Sequence, residues 1–267
     1  MKHILVPTDF SKNAERALDY AINIANRFGS TIYLIHAYHT TSHAGHLANI
    51  DRIVHDDRSK SMEDLIFSKK DELKEGSSLQ GKVTKGYITN SIEGAADKVV
   101  ADLVVMGTLG SNQPNVFMGS TARSLVKAMS KPTVAVPIGA ALTVPTRVVV
   151  AIDAYSMSHP TVFAPLIKMV KRFDAKLHLV HVESDAMNTD IDPKIKEYLK
   201  EAKLAYTYTK IETEDVTNGI LSFTEQKEAD MLCVVSRQRS WFSSLFHSSV
   251  TQKMTMATDI PILVLHD

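Results

Sequence analysis

The stretch HILVPTD at residues 3–9 is a short apolar run that ends in proline, threonine and aspartate, and RVVVAID at 147–153 repeats it in the second half of the chain. Three later segments recur in the same order: TIYLIHA (31–37) as KLHLVHV (176–182), ADLVVMG (101–107) as ADMLCVV (229–235), and PTVAV (132–136) as PILVL (261–265). Recurrence at a period of about half the chain indicates internal duplication. The chain is therefore predicted to contain two copies of one folding unit.

The repeated segments are short and rich in β-branched residues, and amphipathic stretches separate them, which is typical of a parallel α/β sheet. Ser11 is placed to cap a first helix and Gly29 to end it. A longer helix is expected over about 49–74, and a strand over 83–88. The resulting order βαβαβαβαβ is complete by residue 137.

A third helix is predicted to open at Asn90, with Glu93 three residues later in the position of a capping box. The segment 137–146 has two prolines and a glycine and no helical or strand period, so it is interpreted as a linker. The predicted domains are 1–138 and 147–267, joined by 139–146.

Composition limits the classes of partner. Lys+Arg and Asp+Glu both number 30 in 267 residues, so no overall basic field would attract nucleic acid or an anionic membrane. No apolar segment is long enough to span a bilayer, and a cytoplasmic protein is expected. The single cysteine, Cys233, lies in an apolar run, so it is predicted to be core rather than a reactive nucleophile.

A phosphate-binding architecture is indicated after the fourth strand. GTLG (107–110) follows that strand directly, and GST (119–121) opens the next helix after eight further residues. Glycines let backbone N–H groups approach an anion, the helix N-terminus adds partial positive charge, and the two hydroxyls can donate to phosphate oxygens. The alternative is a turn followed by a helix cap that binds nothing.

Asp9 ends the first strand, where ligands bind in open parallel sheets. Its carboxylate can accept a hydrogen bond from a ligand, or it can simply organise the turn into the first helix. The residues alone leave both roles open.

An aspartate after β1, Gly-x2-Gly and Gly-Ser/Thr after β4, and a closing Pro-x-x-Val strand together resemble the universal stress protein family, over nearly the whole chain. The resemblance implies two doubly wound, Rossmann-like α/β domains, each with a five-stranded parallel sheet in the order 3-2-1-4-5, and pairing through the last strands 133–136 and 262–265 as an internal pseudo-dimer. A further homodimer is compatible with it. It also implies an adenine nucleotide (ATP, ADP or AMP, with or without Mg²⁺) bound in the N-terminal domain. The residues carried over are Pro7, Thr8, Asp9, Ala37, Met106, Gly107, Gly110, Gly119, Ser120 and Thr121.

This sequence departs from the family's pattern at the phosphate end. Eight residues separate Gly110 from Gly119 where the family has nine, and Pro114 lies among them. The phosphate end of the pocket is therefore expected to be altered or closed.

The second half is predicted not to bind a nucleotide tightly. Val235, Gln238 and His247 stand where the first half has its three glycines, although Ser248 and Ser249 keep the hydroxyls. Side chains are expected to fill the space that phosphates need. WFSSLF (241–246) either fills that cleft or meets a partner protein.

Four histidines, His36, His39, His43 and His46, follow the second strand, and the spacing of His39 and His43 would suit a helical zinc site. The surrounding Ser, Thr, Gly and Ala favour a solvated loop instead, and His36 recurs as His181, which favours a structural or pocket-lining role.

Two function hypotheses follow. In the first, the protein is a stress-response regulator that binds a nucleotide and is not an enzyme, because no general base is evident at the phosphates. In the second, it is a nucleotide-free scaffold for an unknown protein partner.

Overall fold

The computed structural model describes residues 1–39, 47–109, 118–152, 159–183, 191–236 and 259–267. The first half contains β1 (His3–Pro7), α1 (Lys12–Phe28), β2 (Thr31–Tyr38), α2 (Leu47–Lys69), β3 (Ser78–Lys85), α3 (Ile88–Lys98), β4 (Leu103–Gly107), α4 (Ser120–Ala128) and β5 (Thr133–Val136). The second contains β6 (Arg147–Ile152), α5 (Ala164–Phe173), β7 (Lys176–Glu183), α6 (Pro193–Glu201), β8 (Tyr206–Glu212), α7 (Val216–Gln226), β9 (Met231–Ser236) and β10 (Ile262–His266).

All ten of these strands form one sheet in the order β3-β2-β1-β4-β5-β10-β9-β6-β7-β8. Each half has the order 3-2-1-4-5 with parallel neighbours, and β5 pairs with β10 in the antiparallel sense. The predicted fold class and the predicted pairing through the last strands are therefore confirmed.

Helices cover both faces of the sheet. One core cluster joins alternate strand residues such as Ile4 and Val150 to α1, α2, α5 and α6, and the other joins Leu5 and Val149 to α3, α4 and α7. This alternation follows from the period of two in a strand, which sends successive side chains to opposite faces. Cys233 is fully buried in the first cluster, as predicted, and burial raises the pKa of its thiol.

The ends of α1 follow the sequence prediction. The Ser11 hydroxyl accepts a hydrogen bond from the Ala14 amide at 3.2 Å, and Gly29 adopts a left-handed conformation (φ 66°) while its amide donates to Ala25. A left-handed residue at this point costs least when it is glycine.

The start of α3 was predicted wrongly. The helix begins at Ile88, so Asn90 is its third residue, and no side-chain hydrogen bond caps it. Ile88 and Ile92, four residues apart, both line a cleft at the sheet edge, where Ile92 is buried and Ile88 is 41% exposed. The apolar face that they share extends the helix to Ile88 without a polar cap.

The bounds of β3 and α2 also differ from the prediction. The strand begins at Ser78, because Ser78–Lys85 pairs along its length with β2 although its first residues are polar. An edge strand needs hydrogen bonds to one neighbour only, so its sequence pattern is weak. The helix ends at Lys69, and a short 3-10 turn covers Lys70–Glu72.

The segment between β5 and β6 lies against α1. Asn23 donates from Nδ2 to the Leu142 carbonyl at 2.6 Å, Arg16 donates to the Ala140 carbonyl, and Ala140 is fully buried. The halves also meet through α1 and α5, where the Phe28 and Phe173 rings lie 5.6 Å apart. Among the described residues, no helix is long and apolar enough to cross a membrane.

Candidate functional site

A cleft of about 290 Å³ lies at the carboxyl ends of β1, β2 and β4, beside the start of α4. In the first half the strand order reverses between β1 and β4, so the helices after these two strands lie on opposite faces of the sheet. The crevice at such a reversal is where open α/β sheets bind ligands. The cleft therefore occupies the place that the topology predicts.

The predicted site residues come together at this cleft. Every one that the structure describes lines it, namely Pro7, Thr8, Asp9, Ala37, Met106, Gly107, Gly119, Ser120 and Thr121. The remaining one, Gly110, and Pro114 lie outside the described residues.

The turn after β1 is held by its own side chains. The Thr8 hydroxyl accepts from the Phe10 amide and the Asp9 Oδ1 accepts from the Ser11 amide, both at 3.0 Å, while Phe10 adopts a left-handed φ of 62°. Asp9 therefore does organise the turn. A carboxylate has about four acceptor positions, so this bond leaves capacity for a ligand.

His36 supports the same turn from behind. Its Nδ1 lies 2.8 Å from the Thr8 carbonyl oxygen, and because a carbonyl only accepts, this nitrogen carries the proton. Burial lowers the pKa of His36, which favours the neutral ring. In the second half His181 makes the same bond to the Ile152 carbonyl at 3.0 Å. The repeated histidine is thus a support for the strand end in both halves.

The start of α4 forms the other side of the cleft. Gly119 is extended (φ −64°, ψ 163°), its amide donates to the Thr108 carbonyl at 2.7 Å, and no side chain caps the helix. Ser120 and Thr121 are exposed in its first turn. Uncapped amides, the positive end of the helix dipole and two hydroxyls are the groups that bind a phosphate.

Gly107 lies against Asn13 of α1. A Cβ added to this glycine would lie 2.5 Å from Asn13 Oδ1 and 2.9 Å from the Asn13 backbone oxygen. The space on this side of the strand end is already filled by the asparagine, so packing alone favours glycine at position 107.

Apolar residues that the sequence did not single out complete the cleft. They are Ala14, Ile88, Ile92, Leu109, Ala122 and Leu125. They come from the first two turns of α1, α3 and α4 and from the residues just after β4. Apolar residues in the first two turns of each helix that follows a strand were the signal that could have found them, because those turns converge at one sheet edge.

Charge is sparse at the cleft. Asp9 is the one Asp, Glu, Lys or Arg among the described residues that line it. Among the described residues of the cleft, the groups able to bind a phosphate are therefore backbone amides and hydroxyls rather than cationic side chains.

The described histidines do not form a metal site. His39 packs its ring against Tyr87, with centroids 4.6 Å apart, and His43 and His46 lie outside the described residues. Within the described parts of the chain, no group of three or more His, Cys, Asp or Glu side chains could hold a metal ion.

In the second half, the structure does not describe the residues between the end of β9 and residue 259. Val235 is buried, and its side chain belongs to the core cluster that contains α5 and α6. Its side chain therefore packs into the core at the strand end. Asp153, Gln238, His247, Ser248, Ser249 and the segment 241–246 lie outside the described residues.

Comparison with known proteins agrees with this architecture. The model of the universal stress protein family matches residues 1–137 and again 145–266. The universal stress protein MJ0531 of Methanocaldococcus jannaschii is 30% identical over 141 residues, which are 51% of this chain and 81% of that protein.

Two solved structures share the whole fold. A universal stress protein from Archaeoglobus fulgidus superposes with a TM-score of 0.74 at 17% identity, covering 99% of this chain and 98% of that one. A Pseudomonas aeruginosa protein described as a putative universal stress protein gives 0.61 at 14% identity, covering 100% and 93%. At these identities the likeness concerns the fold alone. With the family model matched twice, the chain belongs to the universal stress protein family and contains two tandem copies of its domain.

Proposed function

We propose that the N-terminal half binds one adenine nucleotide in the cleft at the ends of β1, β2 and β4, and that occupancy regulates the binding of a partner protein. The observation that carries this proposal is the convergence of an aspartate turn, an uncapped helix start and two exposed hydroxyls on one cleft. The nucleoside lies toward Asp9 and Ala37, and the phosphates toward Gly119, Ser120 and Thr121.

The residues fit such a ligand chemically. Apolar side chains such as Ile88 and Ile92 offer a surface for a base, and Asp9 can accept from a ribose hydroxyl or a base amine. The α4 amides and hydroxyls can donate to phosphate oxygens. Because the described lining has no Lys or Arg, Mg²⁺ carried with ATP would offset part of the phosphate charge.

The role proposed is that of a sensor rather than a catalyst. This assignment places Asp9, the carboxylate of the described lining, at the nucleoside end, so the described lining offers no other carboxylate as a general base at the terminal phosphate. The nucleotide therefore acts by stabilising one conformation of the protein.

The C-terminal half is proposed to bind no nucleotide tightly. Valine, glutamine and histidine at positions 235, 238 and 247 replace the three glycines of the first half. A stoichiometry of one nucleotide per chain is expected, and two would contradict this assignment.

The test is a titration of the full chain with ATP, ADP and AMP, each with and without Mg²⁺, after the nucleotide released by denaturation has been quantified. The Ser120→Ala/Thr121→Ala variant is expected to bind ATP about 100-fold or more weakly, because two hydrogen bonds to charged groups contribute about 1.5–3 kcal/mol each. Ser68→Ala is the matched control, since its hydroxyl bonds only the Leu65 carbonyl on the exposed side of α2.

Two outcomes would count against the proposal. Equal ATP affinities for the double variant and the wild type would show that the α4 hydroxyls do not contact the phosphates. No bound nucleotide and no response to ATP with Mg²⁺ would favour the nucleotide-free scaffold instead.

A further inference from the structure

The side chain of Asn13 lies under the start of the loop that follows β4, and only 4% of the residue is exposed. Its Oδ1 accepts from the Leu109 amide at 2.7 Å, and its Nδ2 donates to the Val136 carbonyl at 3.3 Å. An amide N–H only donates and a carbonyl only accepts, so these two partners fix the orientation of the carboxamide.

The two bonds join separate parts of the first half. Leu109 lines the cleft, and Val136 is the last residue of β5, the strand that pairs with β10 of the other half. One buried side chain thus ties the first turn of the phosphate loop to the strand at the junction of the two halves.

Gly107 makes room for this arrangement. Its added Cβ would approach Asn13 Oδ1 to 2.5 Å, closer than real Cβ contacts come. The same oxygen accepts the hydrogen bond from the Leu109 amide. A side chain on residue 107 would therefore displace Asn13 Oδ1 and break this bond, whether or not a ligand is bound.

The second half lacks both members of the pair. Val235 stands at the position of Gly107, and no asparagine occurs between Asp153 and Phe163, the segment that leads from β6 into α5. If glycine and asparagine served unrelated purposes, nothing would require them to be lost together.

We propose that Asn13 is a positioning residue for phosphate binding, which fixes the Leu109 backbone at the edge of the cleft, and that residue 107 is glycine to leave room for the Asn13 side chain. This inference rests on the proposed nucleotide site. Backbone that is already fixed loses less conformational entropy when a ligand binds. Loss of Asn13 should therefore weaken the binding of ligands that carry phosphate and leave the affinity for a nucleoside unchanged.

The first experiment measures dissociation constants for ATP and for adenosine, which has no phosphate. Asn13→Ala is expected to weaken ATP binding about tenfold, the equivalent of about 1.4 kcal/mol, and to leave adenosine binding unchanged. Asn23→Ala is the matched control, because Asn23 lies on the same helix and donates to the Leu142 carbonyl. It should alter neither constant. Wild-type ATP affinity in Asn13→Ala, or equal losses for both ligands, would overturn the proposal.

A double variant separates positioning from simple loss of stability. Gly107→Ala and Asn13→Ala should each lower the thermal midpoint, and the double variant should lose less than the sum of the two, because Asn13→Ala removes the contact of the added Cβ with Oδ1 while the contact with the Asn13 backbone oxygen remains. ATP affinity should stay low in the double variant. Additive falls in the midpoint would show that the two residues do not act as a pair.

Hydrogen exchange at the Leu109 amide makes the test independent of any nucleotide. The amide is expected to be protected in the wild type and in Asn23→Ala, and to exchange faster in Asn13→Ala. If the wild type binds neither ATP nor adenosine, the nucleotide proposal fails while this measurement still decides whether Asn13 anchors the loop. Unchanged protection in Asn13→Ala would overturn the anchoring role itself.

Discussion

The strands β4 and β9 occupy equivalent places in the two halves, but the space beside their carboxyl ends is filled in different ways. At Gly107 the strand has no side chain, and Asn13 from α1 takes the space. At Val235 the strand fills the core with its own side chain. The first arrangement places hydrogen-bonding groups at the sheet edge, and the second gains apolar burial. The residue at this position therefore sets whether the space is filled from the neighbouring helix or by the strand itself.

Placing the valine of the second half at position 107 of the first half gives the largest expected loss of stability. Gly107→Val should lower the free energy of unfolding by about 3 kcal/mol, the upper range for overpacking, because its Cβ alone would meet Asn13 at 2.5 Å. Urea unfolding measures this loss. Gly94→Ala is the matched control: nothing lies within 4 Å of its added Cβ, so this helical substitution should stabilise by about 0.5–1 kcal/mol. Equal effects of both variants would contradict the packing argument.

The reverse exchange, Val235→Gly, should cost about 2.5 kcal/mol. The variant loses a buried side chain that is 8% exposed and gains backbone freedom in the unfolded chain. The variant should not acquire nucleotide binding, because the segment between Asp153 and Phe163 has no asparagine to take the place of Asn13. Urea unfolding and an ATP titration check both parts, and a second nucleotide bound per chain would show that glycine alone is sufficient.

The last strands of the two halves, β5 and β10, are expected to differ in how they make stability depend on pH. Burial lowers the pKa of His266 in β10 to about 4, whereas Pro137 stands at the equivalent place after β5. The unfolded chain binds the proton more readily than the folded chain. The contribution of neutral His266 to the free energy of unfolding is therefore complete above about pH 6.5 and is lost as the pH falls toward 4. Between pH 7 and pH 5 it amounts to at most about 2 kcal/mol.

The measurement for His266 is urea unfolding of the wild type and of His266→Gln at several pH values. The variant should lose less stability on acidification. Parallel pH profiles for the two proteins would assign the acid sensitivity to other groups.

The smallest effect tests the likeness between the halves. His36→Phe and His181→Phe should each cost about 1 kcal/mol, because each removes the donor to a strand-end carbonyl. Thermal unfolding of both variants gives the comparison. A much larger loss for one of them would mean that the two histidines do not share one structural role.

The repeated segments predicted the strands of both halves, and the resemblance to the family implied their order and the pairing of β5 with β10. The ends of α1 were predictable from Ser11 and Gly29, because capping depends on local sequence. The start of α3 was not predictable in this way, since the apolar face that Ile88 and Ile92 turn to the cleft outweighs the capping signal at Asn90. The role of Asn13 was also missed. Its partner Leu109 is 96 residues away in sequence, and no local pattern marks such a contact.

The pairing of β5 with β10 has a consequence for how the molecule assembles. Two separate one-domain chains would meet with a probability that depends on their concentration, whereas here the linker keeps the two strands together at any dilution. The unfolding midpoint of the monomer should therefore not vary with protein concentration. Identical chains in a symmetric pair would also carry every substitution twice. Within one chain, a residue such as Val235 can change on one side of the junction while Gly107 is kept on the other.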